Sequence, residues 1–424
     1  MATRLWQLLG DAGAVYRRGG HTALTRGAFR YGRQRLPVEL WPELLLDPIG
    51  AADRRIPVQE TPDIQLAYEG NYRESLPRPL KAAEGRTLGA EGAVYRYDDA
   101  DVVGRRPIVG VDGRYFPPSW LGVETAFFLH QEKYLKRNLP LTWSLRTLLG
   151  SGPDRAIDTG FLLLGERSLE FPAWHHEVLP KLQFLEAYEE QTGESPTLIV
   201  NADLGQFHEQ SLRLMGYDPD SWVDPGDGAI RVRKLLVAPH PRRARGTHLH
   251  TTALDWVGER IRSNLPDRSD DFSKRVYVSR RDAERRRVRN ETEVVDALRD
   301  RGFEWYEPGR LDYEEEIALF SGADLIVGAH GMGLASMFHA SDAALVELFP
   351  RGGATEHYFL TAAERGFAYE FLSCDSIEEG GNVRARDRDF VVDTDELLSR
   401  IKRVESAVET HSDGETDVQS ETVR

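Results

Sequence analysis

From residue 275 onward, apolar positions fall into short β-rich runs separated by amphipathic stretches. The runs are "RVYVS", "FEWY", "DLIVGA", "ALVELF" and "AYEFL", and helical spacing begins at Glu291, at Tyr313, after Gly331 and near His357. This alternation across residues 275–372 predicts a βαβ series around a parallel sheet. Asn290 with Glu293, and Asp312 with Glu315, stand at the spacing of helix capping boxes. Val294, Val295 and Leu298 line one face of the first helix, and Gly302 follows its end.

A looser series of the same kind occupies residues 160–265, with strands in "GFLLL", "TLIVNAD" and "AIRVRKLLVAP". Its helices run through "WHHEVLPKLQFLEAYEE", "FHEQSLRLMG" and "LDWVGERIRSNL". Two such series predict two nucleotide-fold lobes, an α/β chain joined by the polar segment 263–274 with Pro266 inside it. Upstream, "PIVGVDGRYF" reads as a hairpin turning at Asp112 and Gly113. The expected divisions are an extension over 1–90, a first lobe over 91–265, a second over 275–400, and a disordered acidic tail over 405–424.

Composition narrows the function. Against 69 acidic side chains stand 54 basic ones, a formal charge of −15, which argues against general affinity for nucleic acid. The basic residues are nearly all arginine, and with the acidic balance this resembles proteins from salt-loving archaea. The single cysteine, Cys374, excludes an internal disulfide and a thiol cluster for metal, and fits a cytoplasmic setting. No apolar run approaches a membrane span. Residues 1–36 are locally basic, with seven arginines against Asp11, and Leu5, Leu8, Leu9, Ala12, Val15 and Tyr16 recur at helical spacing. That arm reads either as a peripheral membrane helix or as a helix packed on the first lobe.

Candidate chemistry gathers where strands end, because ligands of open parallel sheets bind at the carboxyl edge. His330, Gly331 and Gly333 follow one strand there: a close backbone approach to a phosphate with a histidine donor, or a tight turn with a satisfied histidine. Ser279, Arg280 and Arg281 follow another, and the two arginines could grip phosphate, whereas Arg285 and Arg287 read as a solvated loop. Glu347 could reach a ribose hydroxyl at the same edge. In the first lobe His175, His176 and Glu177 open a helix, and at most two of them can enter one cleft because adjacent positions diverge by about 100°. His176 or Glu177 is the candidate base. Neither an HExxH pattern nor a DxD pair at a donor-side strand end marks a metal site.

Taken in order, "VYVSRRDAERRRVRNETEVVDALRDRGF", "LDYEEEIALFSGADLIVGAHGMGLASMFHASDAALVELFP" and "WHHEVLPKL" resemble glycosyltransferase family 61, which includes capsular polysaccharide biosynthesis proteins. The family's Ser-Arg…Asn-Glu pattern falls on Ser279, Arg280, Asn290 and Glu291, and its His-Gly-Ala-Gly motif on His330, Gly331, Met332 and Gly333. Departures are Met332, Ser336, Glu316 where glutamine is common, and Ala173 with Trp174 where His-Trp is frequent. The resemblance implies a GT-B-like architecture of two Rossmann-type lobes and an inverting transfer from a UDP- or GDP-linked sugar to a glycan or lipid-linked acceptor, without a metal cofactor. Two alternatives remain, a non-catalytic nucleotide-sugar-binding protein and another GT-B-like enzyme such as a pyruvyltransferase.

Overall fold

The computed structural model describes residues 47–118, 152–239, 252–377 and 383–421, apart from 60–63, 66–75 and a few shorter breaks, and also positions 121, 135, 139 and 143. The basic arm over 1–36 lies outside the described residues.

The architecture is mixed α/β with two main sheets. The first contains β1 (Arg54–Gln59), β4 (Gly92–Val103), β5 (Ile108–Val111), β6 (Arg114–Phe116), β7 (Arg155–Leu162), β8 (Thr197–Ile199), β9 (Trp222–Val223) and β10 (Ala229–Val237). Between β1 and β4, β2 (Ile64–Gln65) and β3 (Thr87–Leu88) form a separate ribbon. The order β6-β5-β4-β10-β7-β8-β9 divides the first sheet. Its β10, β7, β8 and β9 are parallel, as a βα series requires, while β1, β4, β5 and β6 are antiparallel. Since β1 pairs with β4, the first sheet begins well upstream of residue 91, and Pro57 is tolerated because β1 is an edge strand. The hairpin between β5 and β6 turns where expected, with Asp112 at φ 49° and Gly113 at φ 77°, the left-handed pair that a two-residue loop favours.

The second sheet contains β11 (Arg275–Val278), β12 (Glu304–Tyr306), β13 (Leu325–Ala329), β14 (Ala344–Pro350), β15 (Ala368–Ser376) and β16 (Phe390–Val391), ordered β12-β11-β13-β14-β15-β16. All five strands of the predicted series are present and parallel, with only β16 running against them. The chain moves outward from β11 to β12 and then back across to β13. The loops after β11 and β13 therefore part, leaving a crevice at their carboxyl ends.

Helices cover both faces. Around the first sheet lie α2 (Lys181–Thr192), α3 (Gln206–Leu214) and α4 (Ala253–Ser263); α1 (Arg78–Ala83) precedes them. On the second are α5 (Glu291–Arg299), α6 (Tyr313–Ser321), α7 (His357–Arg365) and α8 (Thr394–Glu421). Val294 and Leu298 of α5 pack with Leu397, Ile401 and Val404 of α8 on one face, and Leu319 and Phe320 of α6 pack with Tyr358 of α7 on the other. The apolar cluster under the first sheet also takes in Tyr313, Ile317 and Phe338, so the halves meet through buried hydrophobic surface. From α1, Leu80 together with Leu76 packs against Phe349 and Phe359 of the second half. Helix α8 continues through the stretch from Glu405, where composition predicts disorder, and Glu405 pairs with Arg275.

One predicted cap forms and one does not. At α6, the Glu315 N–H donates to Asp312 Oδ1 at 2.8 Å, and the Asp312 N–H donates to Glu315 Oε2 at 3.1 Å. Asn290 makes no cap to α5. Its amide group clamps Val392 instead, donating to the carbonyl at 2.8 Å and accepting the N–H at 3.0 Å, with a 3.1 Å contact to Glu293 Oε2. Paired backbone groups brought in beside β16 outcompete a single orphan helix donor. Among the described residues, no helix is long and apolar enough to cross a membrane.

Candidate active site

His330 follows β13 directly, and its Nδ1–H donates to Glu347 Oε1 at 2.6 Å. Glu347 is fully buried on β14, and its other oxygen accepts from the Tyr369 hydroxyl at 2.8 Å. With the carboxylate facing Nδ1, the opposite nitrogen, Nε2, is aimed toward Thr355 Oγ1 at 3.3 Å. Glu347, with both oxygens engaged, thus orients His330 from within the sheet.

Gly331 is extended, with φ 171°, a conformation open to any residue. Space favours glycine with Arg280 where it lies: a β-carbon there would collide with the guanidinium. Tyr358 fixes the peptide from the other side, donating to the Gly331 carbonyl at 2.6 Å. At Gly333 a β-carbon would stand 2.9 Å from Val278 Cγ1, so the 3₁₀ helix Met332–His339 can lie down on β11 only without it.

Arg280 emerges from β11 into the crevice, partly buried against Gly331. Burial lowers its pKa, and the charge of Arg286 lowers it further. Arg286 is also held down chiefly by burial. The buried Nε of each guanidinium has no hydrogen-bond partner. Arg280 Nη2 does donate to the Arg285 carbonyl at 3.3 Å. Asp387 toward Arg286, and Asp282 with Asp389 toward Arg280, offset part of the charge. The unsatisfied Nε donors still cost free energy that an anion could recover. Tyr358 lies close enough to act on both. Arg286 gets there because its backbone is left-handed, at φ 58°, which turns the loop back.

Arg281 takes another direction. Its Nε donates to the buried Glu291 at 2.7 Å, and its guanidinium lies 5.1 Å from the ring centroid of Trp305. Ser279 is buried and accepts from the Arg281 N–H at 3.3 Å, a turn contact. Arg287 and Arg289 both pair with the buried Asp389 and anchor the loop. The structure therefore brings Arg280, His330 and Gly331 together and adds Arg286, Tyr358 and Thr355, for which the sequence carried no distinguishing signal.

The other candidate group lies where the halves meet. The predicted long helix is interrupted: Trp174–Val178 forms a π-turn, with Leu179 N–H donating to the Trp174 carbonyl at 2.9 Å, and α2 starts only after Pro180. Proline has no N–H to continue the ladder. The wider turn sends both histidines across to the second half. His175 Nδ1–H donates to the Phe171 carbonyl at 2.9 Å, leaving Nε2 to accept from the Tyr313 hydroxyl at 2.8 Å. Burial holds its pKa down to about 3, so the ring is neutral. His176 Nε2–H donates to the Ala335 carbonyl at 2.8 Å. Glu177 is half-buried on the same turn.

In the sequence Glu316 is marked only by its departure from the pattern of the resembled family. It is partly buried on α6, where Ser336 Oγ–H donates to its Oε1 at 2.7 Å. Burial pushes its pKa up to about 7. Among the described residues, no three His, Cys, Asp or Glu side chains form a metal-binding group. A depression of about 480 Å³ between α4 and α6, lined in part by Arg262, Arg268 and Glu314, lies apart from all these residues.

The sequence profile of the family described as Glycosyltransferase 61 matches residues 171–346. The match opens at the head of the π-turn and ends within β14, so it spans His175, His176, Arg280, Arg286, Glu316 and His330. The part of the chain that carries most of the site, though not Glu347, Thr355 or Tyr358, is thus similar to a family of sugar-transferring enzymes. No curated protein matches the chain.

Proposed function

We propose that the protein is an inverting glycosyltransferase of GT-B-like arrangement that binds the diphosphate of a nucleotide sugar in the crevice above β11 and β13. The observation that carries this is the pair Arg280 and Arg286, partly buried with the Nε donor of each unsatisfied, Arg280 lying in the space that a side chain at Gly331 would fill. Preset positive charge is what a departing diphosphate needs, and such stabilisation is often the largest catalytic term. The N-terminus of the Met332–His339 helix adds partial positive charge, and His330, oriented by Glu347, supplies a directed group. Two guanidiniums can neutralise the leaving group, so transfer proceeds without a divalent ion. The acceptor, a glycan or lipid-linked glycan hydroxyl, approaches from the first half across the π-turn.

Calorimetry and thermal shift with UDP, GDP, pyrophosphate and a panel of UDP- and GDP-sugars test the reading at high salt. Binding that persists in EDTA and weakens in Arg280→Gln and Arg286→Gln is expected. Absence of binding by any nucleotide or pyrophosphate would sink it, and activity abolished by EDTA and restored by manganese would remove the metal-free scheme.

A further inference from the structure

The family match ends at residue 346, and one part of the crevice edge is built from chain beyond it. Strand β14 runs into a turn at Gly352, left-handed at φ 75°, and the 3₁₀ helix Ala385–Asp387 lies on that turn. A β-carbon on Gly353 would stand 2.8 Å from the Arg386 α-carbon, so glycine is what lets the two backbones touch. The His330 N–H donates to the Leu348 carbonyl at 2.9 Å, which sets the end of β14 beside the His330 loop at the carboxyl edge of the second sheet.

We propose that Arg386 is a third cation of the anion crevice and binds the second phosphate of a diphosphate whose first phosphate is held by Arg280 and Arg286. The assignment rests on the transferase reading above and adds to it a residue of the leaving-group site.

Placement supports this first. Arg280 follows β11, His330 follows β13, and the turn under Arg386 follows β14, so the three stand in strand order along one edge. Neighbouring strands are about 4.8 Å apart, and two linked phosphates laid along the edge run from Arg280 past His330 toward Arg386. Arg286 links the outer two: its charge acts on Arg280, and the charge of Arg386 acts on it.

The segment is also held in place. Buried Asp389 takes Arg287 at 3.0 Å and Arg289 at 2.8 Å, and the Arg287 N–H donates to it at 2.9 Å. The next residue, Phe390, donates its N–H to the Arg287 carbonyl at 3.1 Å. Arg386 is therefore carried on backbone fixed to the same loop that turns Arg286 into the crevice, and a ligand has less to order on binding.

Charge argues the same way. With 69 acidic side chains against 54 basic ones, carboxylates are in excess, and the neighbouring arginines use them: Arg281 pairs with Glu291, Arg287 and Arg289 with Asp389. Arg386 is exposed and makes no hydrogen bond or ion pair through its side chain among the described residues. Asp387, drawing on Arg286 and standing 3.9 Å from Arg285, answers part of the charge, as Asp282 does at Arg280. Asp389 is already shared by two arginines, so the row stays net positive. An anion whose charge is spread over two phosphates matches a row of cations better than a single phosphate does.

Calorimetry with pyrophosphate, inorganic phosphate and UDP compares the intact protein with Arg386→Gln and Arg386→Lys. Arg386→Gln should fold as the intact protein does, lose about tenfold in affinity for pyrophosphate and for UDP, and hold inorganic phosphate as before, because a single phosphate stays with Arg280 and Arg286. Arg386→Lys keeps the charge and should recover most of the loss. If pyrophosphate binds the intact protein and is weakened by Arg280→Gln but not by Arg386→Gln, Arg386 is a surface residue and the assignment fails while the transferase reading stands. Equal losses for phosphate and pyrophosphate also overturn it, since Arg386 then acts only through its general field. If the intact protein binds neither pyrophosphate nor any nucleotide, the transferase reading itself falls, and the role of Arg386 with it.

Discussion

The guanidinium of Arg280 occupies the space where Gly331 would carry a side chain. Because Gly331 is extended at φ 171°, alanine can adopt its backbone, and only the far end of a flexible arginine must move. Gly331→Ala should therefore leave thermal stability almost unchanged while displacing Arg280 from the crevice. Losing one charge-assisted hydrogen bond, about 1.5 to 3 kcal/mol, corresponds to a fall in UDP or GDP affinity of roughly tenfold to a hundredfold. Calorimetry on the variant checks it, and unchanged affinity would show that Arg280 does not touch the ligand.

Arg286 bears on Arg280 as a like charge, and each is burdened by burial. Removing one of the two should relieve the empty protein, so Arg286→Gln is expected to melt higher than the intact chain without ligand. The order should reverse in pyrophosphate, which stabilises the intact protein more than the variant by linkage. Melting curves with and without pyrophosphate read both signs. A variant that melts lower in the absence of ligand would mean that the two arginines are structural.

What the sequence could and could not announce follows from the range of each interaction. The turn at Asp112 and Gly113 and the cap joining Asp312 to Glu315 are decided within four residues, and both formed as read. Parallel strands of the second half were legible because burial on both faces writes continuous apolar runs. Asn290 carries a capping signature equal to that of Asp312, yet its partner is Val392, 102 residues away. Within the basic loop, Arg281 and Arg286 look alike as letters. One lies beside Glu291 and the other is turned back by a left-handed residue, and neither fact is written in the local pattern. Glu316 acquires its character from the burial of its carboxylate where the halves pack together.

Glu316 also predicts a pH signature of stability that needs no substrate. Its folded pKa of about 7 lies above the ordinary value of 4.5, so between these values the folded state holds more protons than the unfolded state. Stability contributed by the protonated group is complete below pH 4.5 and is lost as pH rises through 7. The total is about 3 kcal/mol. Glu316→Gln lacks this loss, so its advantage over the intact protein should grow from pH 4.5 to 7 and then level off. Denaturant midpoints across that range measure it, and parallel curves for the two proteins would show that Glu316 is solvated.

His175 predicts the opposite sign. Buried between Phe171 and Tyr313, it is neutral, with a folded pKa of about 3 against 6.5 for the free side chain. Over that interval the unfolded chain binds the extra proton, so stability is complete above pH 6.5 and is lost as pH falls toward 3. The loss is on the order of a few kcal/mol, and it falls on the contact that joins the π-turn to α6. Between pH 4.5 and 6.5 it opposes the trend from Glu316, and the buried His339 and His208 act in the same direction as His175. His175→Gln removes the titrating group at some packing cost, so the slope is compared rather than the absolute stability. Between pH 3 and 6.5 its stability should rise less with pH than that of the intact protein, and the double variant with Glu316→Gln should fall less between pH 4.5 and 7 than His175→Gln alone. A His175→Gln slope equal to that of the intact protein would mean that the halves separate before the ring is protonated.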